Sequence, residues 1–344
     1  MSQFRNLVFK GGGVKGIAYI GAISALEDLG VLHDIRRVCG TSSGAIMAAH
    51  LALGGKAAQL GEMMTSRFLG GLLDGSVWPV RDFTRLIKEF GWFHGRRLAM
   101  WLRRHVHDLA GDADLTFATL AALAATSPKR FKDLTVVATN VTHQCPYIFN
   151  VQNTPDVRIW EALRASMSIP FLFSAARLKT GELCVDGGLT WNYPLNYYDD
   201  RIWLSRLDDE SLFSLLQHPS ERNAQRFYNK ETLGLMVETR SVVRPQGGPS
   251  VEADREKESF PSYLRSMIGL MTDVTASNFL NLPDWQRTIF IEANGVRATD
   301  FNISDSGIRT LFETGTISAH AYMEWFLAPE NQPLNRVGSG PVPH

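Results

Sequence analysis

Three short runs hold the residue types that acyl transfer needs. The first is Gly40-Thr41-Ser42-Ser43-Gly44. Its Gly-x-Ser-x-Gly spacing is that of a nucleophile elbow, where a serine in a tight strand-to-helix turn exposes its hydroxyl and small neighbours let the helix pack close. A serine N-cap in a glycine-rich turn gives the same letters, and Ser43 is the natural cap. The placement between a strand-like and a helix-like run favours Ser42 as a nucleophile.

The second run is Gly11-Gly12-Gly13-Val14-Lys15-Gly16. Glycines between a strand and a helix can cradle negative charge with backbone N–H groups. The spacing matches a dinucleotide fingerprint, but that reading needs an acidic residue at the end of the next strand. That strand ends in Val38-Cys39-Gly40. A P-loop is excluded because Ile17-Ala18 stands where Lys-Ser/Thr is required. An oxyanion hole and an ordinary tight turn remain. Lys15 is either a solvent-facing lysine at a helix start or a contact for phosphate or oxyanion.

The third run is Asp186-Gly187-Gly188 after the strand-like Leu183-Cys184-Val185. Asp-Gly is a common turn signal. A serine hydroxyl at neutral pH also needs an adjacent base, and a carboxylate at a strand end can serve. Histidine is the usual base, and in the α/β-hydrolase order it follows the acid. Only His218, His320 and His344 follow Asp186, and each reads as a surface residue. The sequence therefore favours a Ser–Asp dyad over a triad. No His/Cys/carboxylate cluster suggests a metal, and no cofactor is called for.

These runs need elements to hold them. Leu7–Phe9 and Ile35–Cys39 read as short strands, and Ile17, Ile20, Ile23, Leu26 and Leu29 recur at helical spacing up to Gly30. Residues 43–53 read as a helix ending at Gly54-Gly55. Further strands are expected at 134–139, 147–151, 201–204 and 288–292, with a hairpin about Thr180-Gly181 leading to Asp186. Helices are expected at 158–167, 260–282 and 304–327, and an exposed loop at 244–258. Strands alternating with helices imply a parallel or mixed sheet with helices on both faces. Residues 66–110 combine large apolar side chains with Arg81, Arg85, Arg96, Arg97, Arg103 and Arg104. They read as helices on the core with arginines in water, or as a lid or lipid-facing surface.

The 344 residues suit one large domain or a domain with a smaller appendage, and a formal net charge of zero gives no global field to draw nucleic acid or an anionic membrane surface, leaving room only for local basic patches. Three scattered cysteines, Cys39, Cys145 and Cys184, read as small buried hydrophobes in a reducing compartment. No signal peptide and no membrane-length apolar run is expected, so the protein is expected to be cytoplasmic, with any membrane contact peripheral.

Four blocks in order resemble the patatin-like phospholipases, which include the cytosolic phospholipases and many bacterial lipid hydrolases. They are Gly11–Gly16, Gly40–Gly44, the Ala-Ser-x-x-x-Pro run Ala165–Pro170, and Asp186–Gly188. The likeness covers roughly residues 5–205. It implies a three-layer α/β/α sandwich with a central mixed, mostly parallel sheet. It further implies Ser42 as nucleophile, Asp186 as base, and Gly11, Gly12 and Gly13 as the oxyanion hole. Val14, Lys15, Gly16, Gly40, Thr41, Ser43, Gly44, Gly187 and Gly188 complete the motifs.

The expected organisation is a catalytic core at 5–205 with a lid-like helical insertion at 66–110. Residues 206–328 complete the same domain, and 329–344 form a mobile tail. The implied function is hydrolysis of lipid acyl esters, of the phospholipase A or lysophospholipase type, on membrane phospholipid or another lipid ester. Two alternatives stay open: a neutral-lipid or general carboxylesterase with the same dyad, and a lipid-binding regulatory protein without turnover. The resemblance also implies that an activating protein or small ligand can be involved, with residues 206–285 as the segment that could hold its site.

Overall fold

The computed structural model describes residues 2–72, 91–217, 225–238, 280 and 282–337. In chain order the strands and α-helices are β1 (Asn6–Phe9), α1 (Ala18–Asp28), β2 (Arg37–Thr41), α2 (Ser43–Ala52), α3 (Ser66–Gly71), β3 (Gly91–Phe93), α4 (Arg96–Ala110) and α5 (Phe117–Thr126). Then come β4 (Asp133–Asn140), β5 (Cys145–Phe149), α6 (Ile159–Ser166), β6 (Phe171–Phe173), β7 (Ala176–Arg177) and β8 (Leu183–Asp186). They are followed by β9 (Phe213–Gln217), β10 (Gln225–Asn229), β11 (Thr232–Glu238), α7 (Leu282–Gln286), β12 (Thr288–Glu292) and α8 (Asp305–Leu327). Helix α1 stops where expected, because Gly30 takes φ of 71° just beyond it.

The main sheet has the order β12-β11-β1-β2-β4-β8-β7, with β5 also on β4. Pairs from β12 through β4 are parallel, and the pairs of β4 with β5 and β8, and of β7 with β8, are antiparallel. One detail of register places the site. β2 pairs with Asp133–Val137 of β4, and β5 pairs with Val136–Asn140. Residues Val136 and Val137 therefore use both edges, with β2 on one and β5 on the other. β8 pairs with Ala138–Asn140, which β5 already holds on its own edge, so β8 lies on the edge of β2. β2 runs with β4 and β8 runs against it. Their C-terminal ends meet head-on, Thr41 opposite Val137 and Asp186 opposite Ala138.

Alternation along the strands divides the core into two layers. Leu7, Phe9, Val38, Val136, Leu235 and Ile289 face the larger apolar cluster, under the long helices. Val8, Cys39, Val137 and Met236 face the other side, where Tyr193, Leu195 and Tyr198 cover them. Among the described residues that second outer layer is built of 3-10 turns between Gly187 and Trp203. The result is the layered mixed, mostly parallel α/β architecture that the motif order implies.

Several expectations are corrected. Residues 201–204 do not form a strand: Asp200 Oδ1 accepts the Ile202 N–H at 3.1 Å and caps a 3-10 turn over Arg201–Trp203. The strand expected at 147–151 lies two residues earlier, because a tight turn with Gln144 at φ 55° sets Cys145 opposite Asn140. Cys145 is exposed, unlike Cys39 and Cys184. Of the tail expected to be mobile at 329–344, residues 329–337 pack against the core, with Asn335 buried and the Val337 N–H donating to Gln3 Oε1 at 3.0 Å, and 338–344 lie outside the described residues. The loop expected at 244–258, nearly all of the helix expected at 260–282, and residues 73–90 of the expected insertion lie outside the described residues.

Candidate active site

Ser42 is the single residue between the end of β2 and the start of α2. Its φ of 54° and ψ of −127° lie in a region that L side chains rarely adopt. The flanking glycines explain how the turn closes. A Cβ on Gly40 would collide with the Gly44 carbonyl, and one on Gly44 would lie 2.6 Å from the Lys10 carbonyl oxygen. The turn is pinned by Ser166, whose hydroxyl accepts the Ser42 N–H at 2.8 Å and donates to the Val137 carbonyl at 2.6 Å. Ser166 belongs to the Ala165–Pro170 run singled out in the sequence, which does not by itself assign this bridge.

Asp186 meets this turn from the end of β8. Ser42 Oγ donates to Asp186 Oδ2 at 2.5 Å, and Met167 Sδ lies 3.6 Å from the same hydroxyl. Asp186 Oδ1 accepts the Gly188 N–H at 2.7 Å. Its backbone is fixed by an N–H donated to the Ser168 carbonyl and a carbonyl that accepts from Thr139 Oγ1, both at 2.9 Å. Ser42 and Asp186 are 3% and 2% exposed. Desolvation raises the Asp186 carboxyl from its ordinary 3.8 to about 6, against the lowering effect of the bonds from Ser42 and Gly188.

The glycine run arrives from β1 beside β2. Gly11 flanks the serine closely: a Cβ there would lie 3.2 Å from Ser42 Cβ. The Gly11 N–H donates to the Asn192 carbonyl at 3.0 Å, and the Gly12 N–H donates to Ser43 Oγ at 3.1 Å. Gly13 has φ of 54°, and its N–H makes no hydrogen bond among the described residues. Val14 to Ile17 then continue as a 3-10 turn. Ser43, expected as a helix cap, points across to this loop, where the missing side chain of Gly16 leaves it room.

Lys15 is not solvent-facing. Its side chain is fully buried, with Nζ 3.6 Å from Glu238 Oε2, and Lys10 Nζ contacts Glu238 Oε1. Lys10 Nζ also donates to the Gly11 carbonyl at 3.4 Å. Two buried ammonium groups therefore share one carboxylate directly behind the glycine run. Glu238 ends β11, far along the chain, and its only sequence signal is a carboxylate closing the apolar run Leu233–Val237.

Among the described residues, no histidine hydrogen-bonds Ser42 or Asp186. His50 and His105 pair with each other instead, ring nitrogens 3.1 Å apart, and burial lowers them to about 4 and about 3. No group of three or more His, Cys, Asp or Glu among the described residues is placed to hold a metal. No helix among them is long and apolar enough to cross a membrane.

The sequence profile described as "Patatin-like phospholipase" matches residues 7–198, which span β1, the elbow and Asp186. The chain belongs to the patatin-like phospholipase family. "Uncharacterized protein R571" of Acanthamoeba polyphaga mimivirus is 30% identical over 200 residues, 58% of this chain and 63% of that protein. "Uncharacterized protein YqhO" of Bacillus subtilis is 27% identical over 326 residues, 90% of this chain and 94% of that one. "Triacylglycerol lipase ptl3" of Schizosaccharomyces pombe is 29% identical over 181 residues, half of this chain and 34% of the lipase. Thus this chain spans less than two thirds of R571 and about a third of ptl3, but almost all of YqhO. The crystal structure of VipD from Legionella pneumophila superposes with a TM-score of 0.57 at 17% identity, over 94% of this chain and 67% of that one. That likeness extends the shared fold beyond residue 198.

Proposed function

We propose that the protein hydrolyses lipid acyl esters through a Ser42 acyl-enzyme, with Asp186 as the only side-chain base. The observation that carries this reading is the 2.5 Å bond between Ser42 Oγ and a buried carboxylate poised near neutrality. Ser42 Oγ attacks the ester carbonyl as its proton passes to Asp186 Oδ2. The carbonyl oxygen becomes an oxyanion beside the glycine run. Gly13 supplies a free N–H, and Gly12 supplies a second if the Ser43 hydroxyl turns away. Collapse breaks the ester C–O bond, and the leaving alcohol takes the proton from Asp186. Water then gives its proton to Asp186 and attacks the acyl-enzyme; the acyl C–Oγ bond breaks, Asp186 returns the proton to Ser42 Oγ, and the fatty acid leaves.

Phospholipid or lysophospholipid is the substrate class we favour on the family's description. A neutral glyceride ester is the second reading, favoured by the likeness to the triacylglycerol lipase ptl3. The pairing of β11 with β1 supports treating residues 206–328 as completing the catalytic domain that starts at residue 5.

Lipid analysis of mixed liposomes incubated with wild type, Ser42→Ala and Asp186→Asn tests the function. Fatty acid release by wild type alone is expected, and the co-product identifies the substrate class. Equal product from all three proteins would refute the dyad.

A further inference from the structure

A groove between α3 and α4 has an unusual lining. Its polar groups are the guanidiniums of Arg67, Arg97 and Arg104, and its apolar floor includes Phe68, Met100 and Trp101. Among the described residues, no carboxylate lines it. The pattern comes from helix geometry: Arg97, Met100 or Trp101, and Arg104 succeed one another at three- and four-residue steps and share one face of α4. The opposite face, with Leu98, Leu102, Val106 and Leu109, is buried. Phe68 from α3 meets Trp101 edge-on at 5.1 Å and closes the floor.

The charges here differ from those beside them. Arg103, one position away, is paired with Asp114 at 2.9 Å. The side chains of Arg67, Arg97 and Arg104 make no ion pair or hydrogen bond among the described residues. Met100 is 65% exposed between them. Unpaired arginines around an exposed apolar side chain suit a partner that is anionic at one level and apolar just below it. A bilayer with anionic phospholipid headgroups has that order.

The groove is also tied to the dyad. Helix α4 follows β3, which pairs in register with β6, Gly91 opposite Phe171 and Phe93 opposite Phe173. Arg164 links both to the site, donating to the His94 carbonyl at 2.8 Å, the Ser174 carbonyl at 3.0 Å and Ser168 Oγ at 2.6 Å. The Ser168 carbonyl in turn holds the Asp186 N–H. Phe171, at this junction, is 40% exposed and adds a second apolar side chain on the route from groove to site.

We propose that this groove is the surface by which the protein docks on anionic phospholipid bilayers. Phosphates lie between Arg67, Arg97 and Arg104, and Met100 enters the glycerol level. The proposal does not rest on the hydrolase reading, because a protein without turnover would dock in the same way.

The test is flotation of full-length protein in the Ser42→Ala background, which leaves the vesicles intact. Vesicles are phosphatidylcholine with and without phosphatidylglycerol. Wild-type surface residues should give binding only with phosphatidylglycerol present, weakening as salt rises. Each arginine near an anionic surface is worth about fivefold, so Arg97→Ala with Arg104→Ala should weaken binding about 25-fold. Met100→Ser should weaken it too, while Arg206→Ala, on an exposed turn elsewhere, should not. With Ser42 restored, the arginine pair should still cleave a soluble ester, and its melting temperature should match wild type. Unchanged vesicle binding by both the arginine pair and Met100→Ser would overturn the proposal. So would equal binding to both vesicle types, or conversion of a dimer to a monomer by these substitutions with vesicle binding intact.

Discussion

Thr41 and Asp186 stand end to end on one edge of β4, opposite Val137 and Ala138. Because β2 runs parallel to β4 and β8 antiparallel, two strands from distant parts of the chain finish at one point. That convergence brings Ser42 Oγ and Asp186 Oδ2 to 2.5 Å across 144 residues of sequence. It also buries the carboxylate, and the first prediction follows from that burial. In the proposed mechanism only ionised Asp186 accepts the serine proton. With its carboxyl raised to about 6, kcat/KM on a soluble ester should fall as pH drops through about 6, along a one-proton limb. A limb near the ordinary 3.8 would contradict the desolvated base.

The same shift predicts a change in stability. Asp186 binds its proton more tightly folded, at about 6, than unfolded, near 3.8. The stabilisation from that shift is fully present below about pH 4 and is lost as pH rises through 6. Two units correspond to about 3 kcal/mol. Asp186→Asn is neutral at every pH and keeps the bond from Gly188, so it should melt higher than wild type at pH 8 and close to it at pH 4. Thermal melts across that range check this. A lower melting temperature for the variant at pH 8 would contradict it.

The elbow itself stores strain. Ser42 holds φ of 54° and ψ of −127°, a conformation that glycine adopts freely and a residue with a Cβ does not. Ser42→Gly and Ser42→Ala should both be inactive, with the glycine variant more stable by about 1 kcal/mol. Chemical denaturation of the two variants measures the difference. Equal midpoints would mean that the turn is unstrained.

How the site reads from sequence follows the range of each constraint. The Gly-x-Ser-x-Gly run is legible because Gly40 and Gly44 obey local sterics within one turn. Asp186 is legible because a strand leads straight into Asp-Gly-Gly. Lys15 is ambiguous by itself, since only the end of β11 turns it inward. Ser43 looks like a cap until the glycine run is placed beside it. Residues 201–204 carry the apolar letters of a strand, and the Asp200 side chain folds them into a turn. What sequence alone hides is contact between distant segments.

Glu238 makes one of those hidden contacts. It is the shared partner of Lys10 and Lys15, and all three side chains are buried. Removing one member of a buried ionic group typically costs about 3–5 kcal/mol, because the remaining charges stay in a dry site. Glu238→Gln should destabilise the protein by that order. It should also lower kcat on a soluble ester, because Lys10 holds the Gly11 carbonyl beside Ser42. A denaturation midpoint equal to wild type would show that the lysines do not depend on this carboxylate.

The central claim is a covalent Ser42 intermediate formed with Asp186 as base, and one measurement reaches it directly. A long-chain alkyl fluorophosphonate is reacted with wild type, Ser42→Ala and Asp186→Asn, followed by intact mass and peptide mapping. The account predicts a single adduct on the peptide holding Ser42 in wild type, none in Ser42→Ala, and much slower labelling in Asp186→Asn. An adduct that persists in Ser42→Ala, or labelling of Asp186→Asn at the wild-type rate, would contradict it.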